Sequence, residues 1–185
     1  MIRKKIVPQI GVLGPDRSNM PMQRAKRLRV AKIAEAIGRL IAENGAILFS
    51  GGGGGVMEDA SRGAKLAGGM TVGIPGRARG SSNRYVDIEI VTDQDAGSFI
   101  AAGLLSCDAL ILIPGGSGTM AEMCMAYRNG KRCVVMKGFS RQYDALVGNY
   151  LDRTRRIRLL GADTAEEAVG LALSGYGAKN ANRLF

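Results

Sequence analysis

The sequence predicts an α/β fold: a doubly wound, mostly parallel sheet with helices on both faces, in a single domain. Three observations predict it. Apolar runs alternate along the chain with segments of helical period, as successive strand and helix units require. Leu110, Ile111, Leu112 and Ile113 are continuously apolar, the mark of a strand covered on both faces. The 27 glycines cluster between the apolar segments, where they serve tight turns rather than a low-complexity tract.

Each element has its own signal. Residues 6–13 read as the first strand, with Gly14, Pro15 and Asp16 as its turn. Val30, Ile33, Ile37, Leu40 and Ile41 then recur at helical spacing, leaving Arg29, Lys32, Glu35 and Arg39 on the wet side. Asn44 and Gly45 close that helix. Residues 46–50 are the second strand, 56–66 a helix, 71–74 the third strand, 86–91 the fourth and 96–106 a helix. Residues 108–113 form the fifth strand, 119–127 its helix and 132–136 the sixth strand. Residues 141–150 read as a helix, 157–160 as a short strand and 164–173 as the last helix, capped by Asp163 or Thr164. The small, polar residues 175–185 are a tail, unstructured or docked on a neighbouring subunit. No linker divides the chain, and no long period marks a solenoid.

At 185 residues the chain buries about two thirds of its unfolded surface without staples. Aromatics are only 5% and Trp is absent, so the core is aliphatic. Lys and Arg outnumber Asp and Glu by 26 to 16, a formal charge of +10, which concentrates anionic partners of any size. Cys107, Cys124 and Cys133 form no CxxC pair, and their odd number reads as buried, reduced thiols in a cytoplasmic protein. The absence of His excludes a His-based triad and the commonest zinc-ligand sets. Residues 6–13 are too short and too polar for a secretory core, and no run reaches the ~18 apolar residues of a membrane span.

In a parallel sheet ligands settle at the carboxyl ends of the strands, near the point where strand order reverses. The turns at residues 14–19, 51–55, 76–84 and 115–119 follow strands and are the most glycine- or polar-rich of the chain. Two of them resemble each other in design. After one strand come Gly51, Gly52, Gly53, Gly54 and Gly55 and a helix; after another come Pro114, Gly115, Gly116, Ser117, Gly118 and Thr119 and a helix. Glycines leave room for close approach, and unpaired amides with a helix dipole favour an anion. The same glycines would also serve plain tight turning. Neither loop carries the Gly-Lys-Ser/Thr of an ATPase, and residues 11–16 lack GxGxxG, so ATP hydrolysis and ordinary NAD chemistry are disfavoured.

Glu122 has two readings. It stands three residues after Thr119, the spacing of a capping box; alternatively it is a carboxylate beside a bound sugar phosphate, stabilising positive charge or accepting a proton. Ser117 and Thr119 can donate hydroxyl bonds to phosphate. Glu58 and Asp59 read as dipole partners in a first helical turn. Arg77, Arg79 and Arg84, with Ser81, Ser82 and Asn83, form either an anion clamp or a solvated loop. Arg153, Arg155, Arg156 and Arg158 read as a wet face or subunit contact rather than a nucleic-acid stripe, having no interleaved aromatic. Met120, Met123 and Met125 read as core filler.

These residues carry a family resemblance. PGGSGTMAE resembles the PGGxGTxxE signature of the LOG-like proteins, long labelled lysine decarboxylases, and SGGGGGVMEDASRGAKLAGG is similar to that family's earlier glycine loop and helix. The resemblance implies a Rossmann-like domain assembling as a dimer or larger oligomer. It further implies that Gly115, Gly116, Gly118 and Thr119 hold a phosphate and that Glu122 is the catalytic acidic residue. Phosphoribohydrolase members carry an arginine fifteen positions before the motif's proline, where this chain has Phe99. That substitution and the short chain look more like the branch of molybdenum-cofactor carrier proteins. No lysine lies in the four edge turns to form a Schiff base, so the decarboxylase label has no chemical support.

The expectation is therefore a protein that binds a phosphorylated nucleotide-like or pterin-like molecule, such as a nucleoside monophosphate or molybdopterin-type ligand, with no required cofactor or metal. Gly14, the two glycine turns, Arg77 and Arg79 form its site. Its partner is an anionic small molecule, not nucleic acid or membrane, and it is a cytoplasmic homodimer or homotetramer. The alternative is a nucleoside 5′-monophosphate phosphoribohydrolase that uses Glu122 and a substitute arginine such as Arg77, Arg79 or Arg84.

Overall fold

In the computed structural model, which describes residues 6–76, 78–92, 99–174 and 176, strands and helices alternate as their patterns require. The order is β1 (Gln9–Leu13), α1 (Arg24–Glu43), β2 (Ile47–Ser50), α2 (Val56–Leu66), β3 (Thr71–Gly76), β4 (Ile88–Val91), β5 (Ala109–Leu112), α3 (Ser117–Arg128), β6 (Arg132–Met136), α4 (Arg141–Asp144), β7 (Leu160–Ala162) and α5 (Ala165–Leu173). The strands pair in parallel in the order β4-β3-β2-β1-β5-β6-β7. Strand order reverses between β1 and β5, which leaves a crevice beyond their carboxyl ends.

Successive strand residues point to opposite faces, and each face has its own core. Ile10, Val12, Leu48, Ile111, Val134 and Met136 pack under α1, α2 and α5. Leu13, Phe49, Val72, Leu110, Leu112, Cys133 and Val135 pack on the other face with Leu104, Met123 and Tyr143. This double burial is why β5 is apolar throughout. Helices α1 and α2 meet at backbone contact. A Cβ on Gly38 would lie 1.9 Å from the Ala60 carbonyl oxygen, and one on Gly63 2.0 Å from that of Glu35. Arg62 bonds Glu35 across the same seam at 2.8 Å.

Several boundaries differ from the sequence reading. The first strand begins at Gln9, because Pro8 has no amide for the ladder and contributes its carbonyl to the Ile47 amide at 2.8 Å. The fourth begins at Ile88, since Asp87 turns its carboxylate to the Thr71 amide (3.0 Å) and to Lys65 (2.5 Å). The helix expected at 141–150 stops after Asp144. Gly148, at φ +79°, turns the chain there and donates its amide to the Leu159 carbonyl at 2.8 Å. The short strand lies at Leu160–Ala162, where it pairs with Val134, Val135 and Met136. Of the helix expected at 96–106, the described part opens as a π-helical turn, Phe99–Leu104. Cys107 and Cys133 are buried but Cys124 is exposed, a correction to the expectation of three buried thiols. No helix among the described residues is long and apolar enough to cross a membrane. Arg77, the tail apart from Tyr176, and the side chain of Phe99 lie outside the described residues.

Candidate functional site

At the reversal point three chain turns share one cleft of about 290 Å³. Val12, Leu13, Gly14, Pro15, Asp16 and Asn19 line it from β1 and its turn, and Gly51, Gly53 and Met57 from the β2 to α2 junction. Ile74 and Pro75 come from β3, and Gly116, Ser117, Gly118, Thr119 and Glu122 from the start of α3.

The turns are fastened to one another. The turn after β1 lies between the two glycine loops, and the Pro15 carbonyl accepts the Val56 amide at 3.1 Å. Gly55 has φ +67°, and a Cβ there would sit 2.6 Å from both the Asp16 carbonyl carbon and the Pro15 oxygen, so only glycine fits. A Cβ on Gly115 would fall 2.5 Å from Thr119 Oγ1 and 3.0 Å from the Pro15 nitrogen. Asn83 holds the other side of the loop. Its amide donates to the Gly52 carbonyl at 2.7 Å, and its side-chain nitrogen donates to the Gly52 and Gly53 carbonyls at 3.0 and 2.9 Å.

Those bonds occupy the loop's carbonyls and leave its amides. The amides of Gly53 and Gly54, and those of Gly116, Ser117, Gly118 and Thr119, donate to no protein acceptor among the described residues. At the α3 end this follows from helix geometry, because the first amides of a helix have no carbonyl behind them. The cleft is therefore rich in backbone donors that no acceptor among the described residues satisfies.

Its two carboxyl groups differ. Asp16 accepts from the Ser18 hydroxyl (2.8 Å) and the Asn19 amide (2.9 Å), and these bonds hold its pKa below the usual carboxylate value. Glu122 has no hydrogen-bond partner among the described residues, and burial pushes its pKa up to about 7. Environments that drive two carboxyl groups apart in this way are common in binding and catalytic sites. The capping reading of Glu122 is not realised. The N-cap of α3 is Gly116, the helix starts at Ser117, and Thr119 lies within it, its hydroxyl against Gly115. Glu58 is paired with Arg17.

Gly14, Gly51, Gly53, Gly116, Ser117, Gly118, Thr119 and Glu122 thus meet in the cleft. Gly52, Gly54, Gly55 and Gly115 shape the turns without lining it. Arg79 and Arg84 are exposed and away from it. The Glu89 carboxylate accepts the amides of Gly80 (2.6 Å) and Ser82 (2.8 Å), tying that loop to β4. Sequence reasoning placed the turn 14–19 on this edge without singling out Pro15, Asp16 or Asn19, and it missed Val12, Leu13, Met57, Ile74 and Pro75 as lining residues. An Asp two positions before a Ser and three before an Asn, just after a strand, is a capping-turn signal that could have found Asp16 and Asn19.

A family model described as the SLOG cluster4 family matches residues 7–169. An uncharacterized protein of Archaeoglobus fulgidus is 40% identical over 129 residues, which cover 70% of this chain and 80% of that one. The molybdenum cofactor binding protein of Rippkaea orientalis superposes with a TM-score of 0.75 at 31% identity, covering 92% of this chain and 98% of that chain. The Moco carrier protein of Chlamydomonas reinhardtii superposes with a TM-score of 0.78 at 28% identity, covering 94% and 99%.

Proposed function

The chain belongs to the SLOG cluster4 family, and from that premise and the geometry of its cleft we propose that it binds a phosphorylated pterin-like or nucleotide-like molecule, as a molybdenum-cofactor carrier would. The observation that carries this reading is the convergence of unpaired amides from two glycine turns on one cleft. The phosphate lies against the amides of Gly116, Ser117, Gly118 and Thr119 at the positive end of α3. The heterocycle extends over Met57, Ile74 and Pro75, an apolar floor suited to a flat ring. At about 290 Å³ the cleft is at the small end of ligand pockets, room for one heterocycle and its phosphate rather than a dinucleotide. The cofactor-binding and carrier proteins whose structures resemble this one support the pterin side of the reading.

Gly118→Asp tests it cleanly. A Cβ at Gly118 meets nothing within 4 Å, and an acidic residue in a first helical turn favours the helix. The variant should keep the parent's melting temperature while its affinity for a pterin phosphate or GMP falls by more than about tenfold through repulsion. Unchanged affinity would remove the phosphate from this position. Native mass spectrometry of the isolated protein would show the mass of any bound ligand and the assembly size, for which a homodimer or homotetramer is expected.

Glu122 favours a second reading. A carboxyl with no partner among the described residues and a pKa pushed up to about 7, one turn into α3, is suited to assist N-glycosidic cleavage of a nucleoside monophosphate. Neither Arg79 nor Arg84 reaches the cleft to replace the arginine that phosphoribohydrolases carry where this chain has Phe99. Release of free base that disappears in Glu122→Gln would establish turnover; its absence across a panel of nucleoside monophosphates leaves binding.

A further inference from the structure

Among the described residues, the cleft offers an anion many donors and no cation. None of the described lining residues is Lys or Arg, and two of them, Asp16 and Glu122, are acidic. Hydrogen bonds stabilise the ionised form of Asp16, so a phosphate dianion would enter against a fixed negative charge. Arg17 stands at the edge of this arrangement. It follows Asp16 and opens the short 3₁₀ turn Arg17–Asn19. Its side chain lies over the glycine loop, with Nε 3.3 Å and Cβ 3.4 Å from where a Cβ on Gly54 would be. Gly54 is one of the residues whose amide lacks an acceptor among the described residues. The Arg17 guanidinium is engaged by Glu58 in the first turn of α2. The arginine end of the pair is open to solvent, the Arg17 side chain being 78% exposed, while that of Glu58 is partly buried at 24%.

We propose that Arg17 is the cationic clamp of the phosphate site and that Glu58 holds it aside in the free protein, so that binding exchanges a carboxylate partner for a phosphate. The inference rests on the phosphate-binding reading above and adds to it the group that neutralises the ligand and the group that competes with it. Three physical points support the exchange. An ion pair whose cation is this exposed is screened on that side and breaks readily. A guanidinium can engage two phosphate oxygens at once, a stronger interaction inside a partly enclosed cleft than at its rim. Glu58, once released, is not stranded, because the positive end of α2 remains behind it. Glycine at position 54 keeps the path clear: any side chain there would press on the arginine.

The test measures binding of three phosphomonoesters, GMP, AMP and a hydroxymethylpterin phosphate, each against its dephosphorylated form, to the parent, Arg17→Ala, Glu58→Gln and the double variant. Arg17→Ala should weaken binding of the preferred phosphomonoester by about tenfold and leave the dephosphorylated form unaffected, which a general structural defect would not do. Glu58→Gln should tighten phosphomonoester binding by about two- to fivefold, since the competing pair is lost. The double variant should match Arg17→Ala. Arg17→Ala binding the phosphomonoester as well as the parent would overturn the clamp while leaving the phosphate site standing. A tightening by Glu58→Gln that persists without Arg17 would overturn the competition. A parent that does not prefer any phosphomonoester over its dephosphorylated form would overturn the underlying reading and the clamp with it.

Discussion

At Glu122 a carboxyl group whose ordinary pKa is 4.5 is raised to about 7 by burial. Between those values the folded chain keeps a proton that the unfolded chain has lost. Stability therefore falls as pH rises from 4.5 to about 7, and above that the loss is complete. Glu122→Gln removes the penalty, so the variant should melt higher than the parent at pH 8 and at the same temperature at pH 4. A variant no more stable at pH 8 would mean that Glu122 is solvated. Gly55 is a second residue whose identity the geometry dictates. With φ at +67° and the Pro15 oxygen 2.6 Å from any Cβ, Gly55→Ala should cost about 2 to 4 kcal/mol in denaturant unfolding. The glycine run was legible in the sequence. Which of its members is irreplaceable was not, because the obstacle belongs to the turn after β1, about forty residues away.

Helix α2 sets the position of the glycine loop, and its seat on α1 depends on two glycines that local pattern reading passes over. Gly38→Ala drives a methyl toward the Ala60 carbonyl oxygen, 1.9 Å from the ideal Cβ position. It should destabilise the fold by about 2 to 4 kcal/mol and weaken ligand binding through displacement of α2. Gly170 in α5 is the contrast. Its Cβ would meet nothing within 4 Å, so Gly170→Ala should stabilise by about 0.5 to 1 kcal/mol on the same measurement. Inside a periodic helix both glycines look alike in sequence; the difference is what crosses them. Element boundaries followed the same logic. The bounds of α2 and β6 agree with the sequence reading, since each runs from turn to turn with an unbroken pattern. The helix expected through residue 150 ended early: after Asp144 the Leu146 and Val147 amides bond three residues back, to Tyr143 and Asp144, and the Gly148 amide then leaves for the Leu159 carbonyl, a long-range partner that local spacing does not encode.

For the molecule as a whole, two buried thiols and one exposed one provide a check on the packing of the sheet face that carries Cys107 and Cys133. Burial raises the pKa of Cys107 and Cys133, the latter to about 12, and Cys124 is exposed. A thiol reagent should therefore label one cysteine per native chain rapidly and the other two only after denaturant is added. Rapid labelling of all three would mean that the face carrying Leu110 and Val135 is open. The sequence by itself determined the alternation of strands and helices, the parallel character of the sheet, the two glycine turns and Glu122, because each is written in spacings of a few residues. Tertiary structure alone decided that these turns open on one cleft, that Asn83 takes carbonyls of the glycine loop while the Gly53 and Gly54 amides find no acceptor among the described residues, and that Arg79 does not line the cleft. It also decided that Arg17 meets Glu58 across 41 positions. The physical reason is strand order: β1 lies between β2 and β5, and that adjacency comes from long-range packing, which no local spacing encodes.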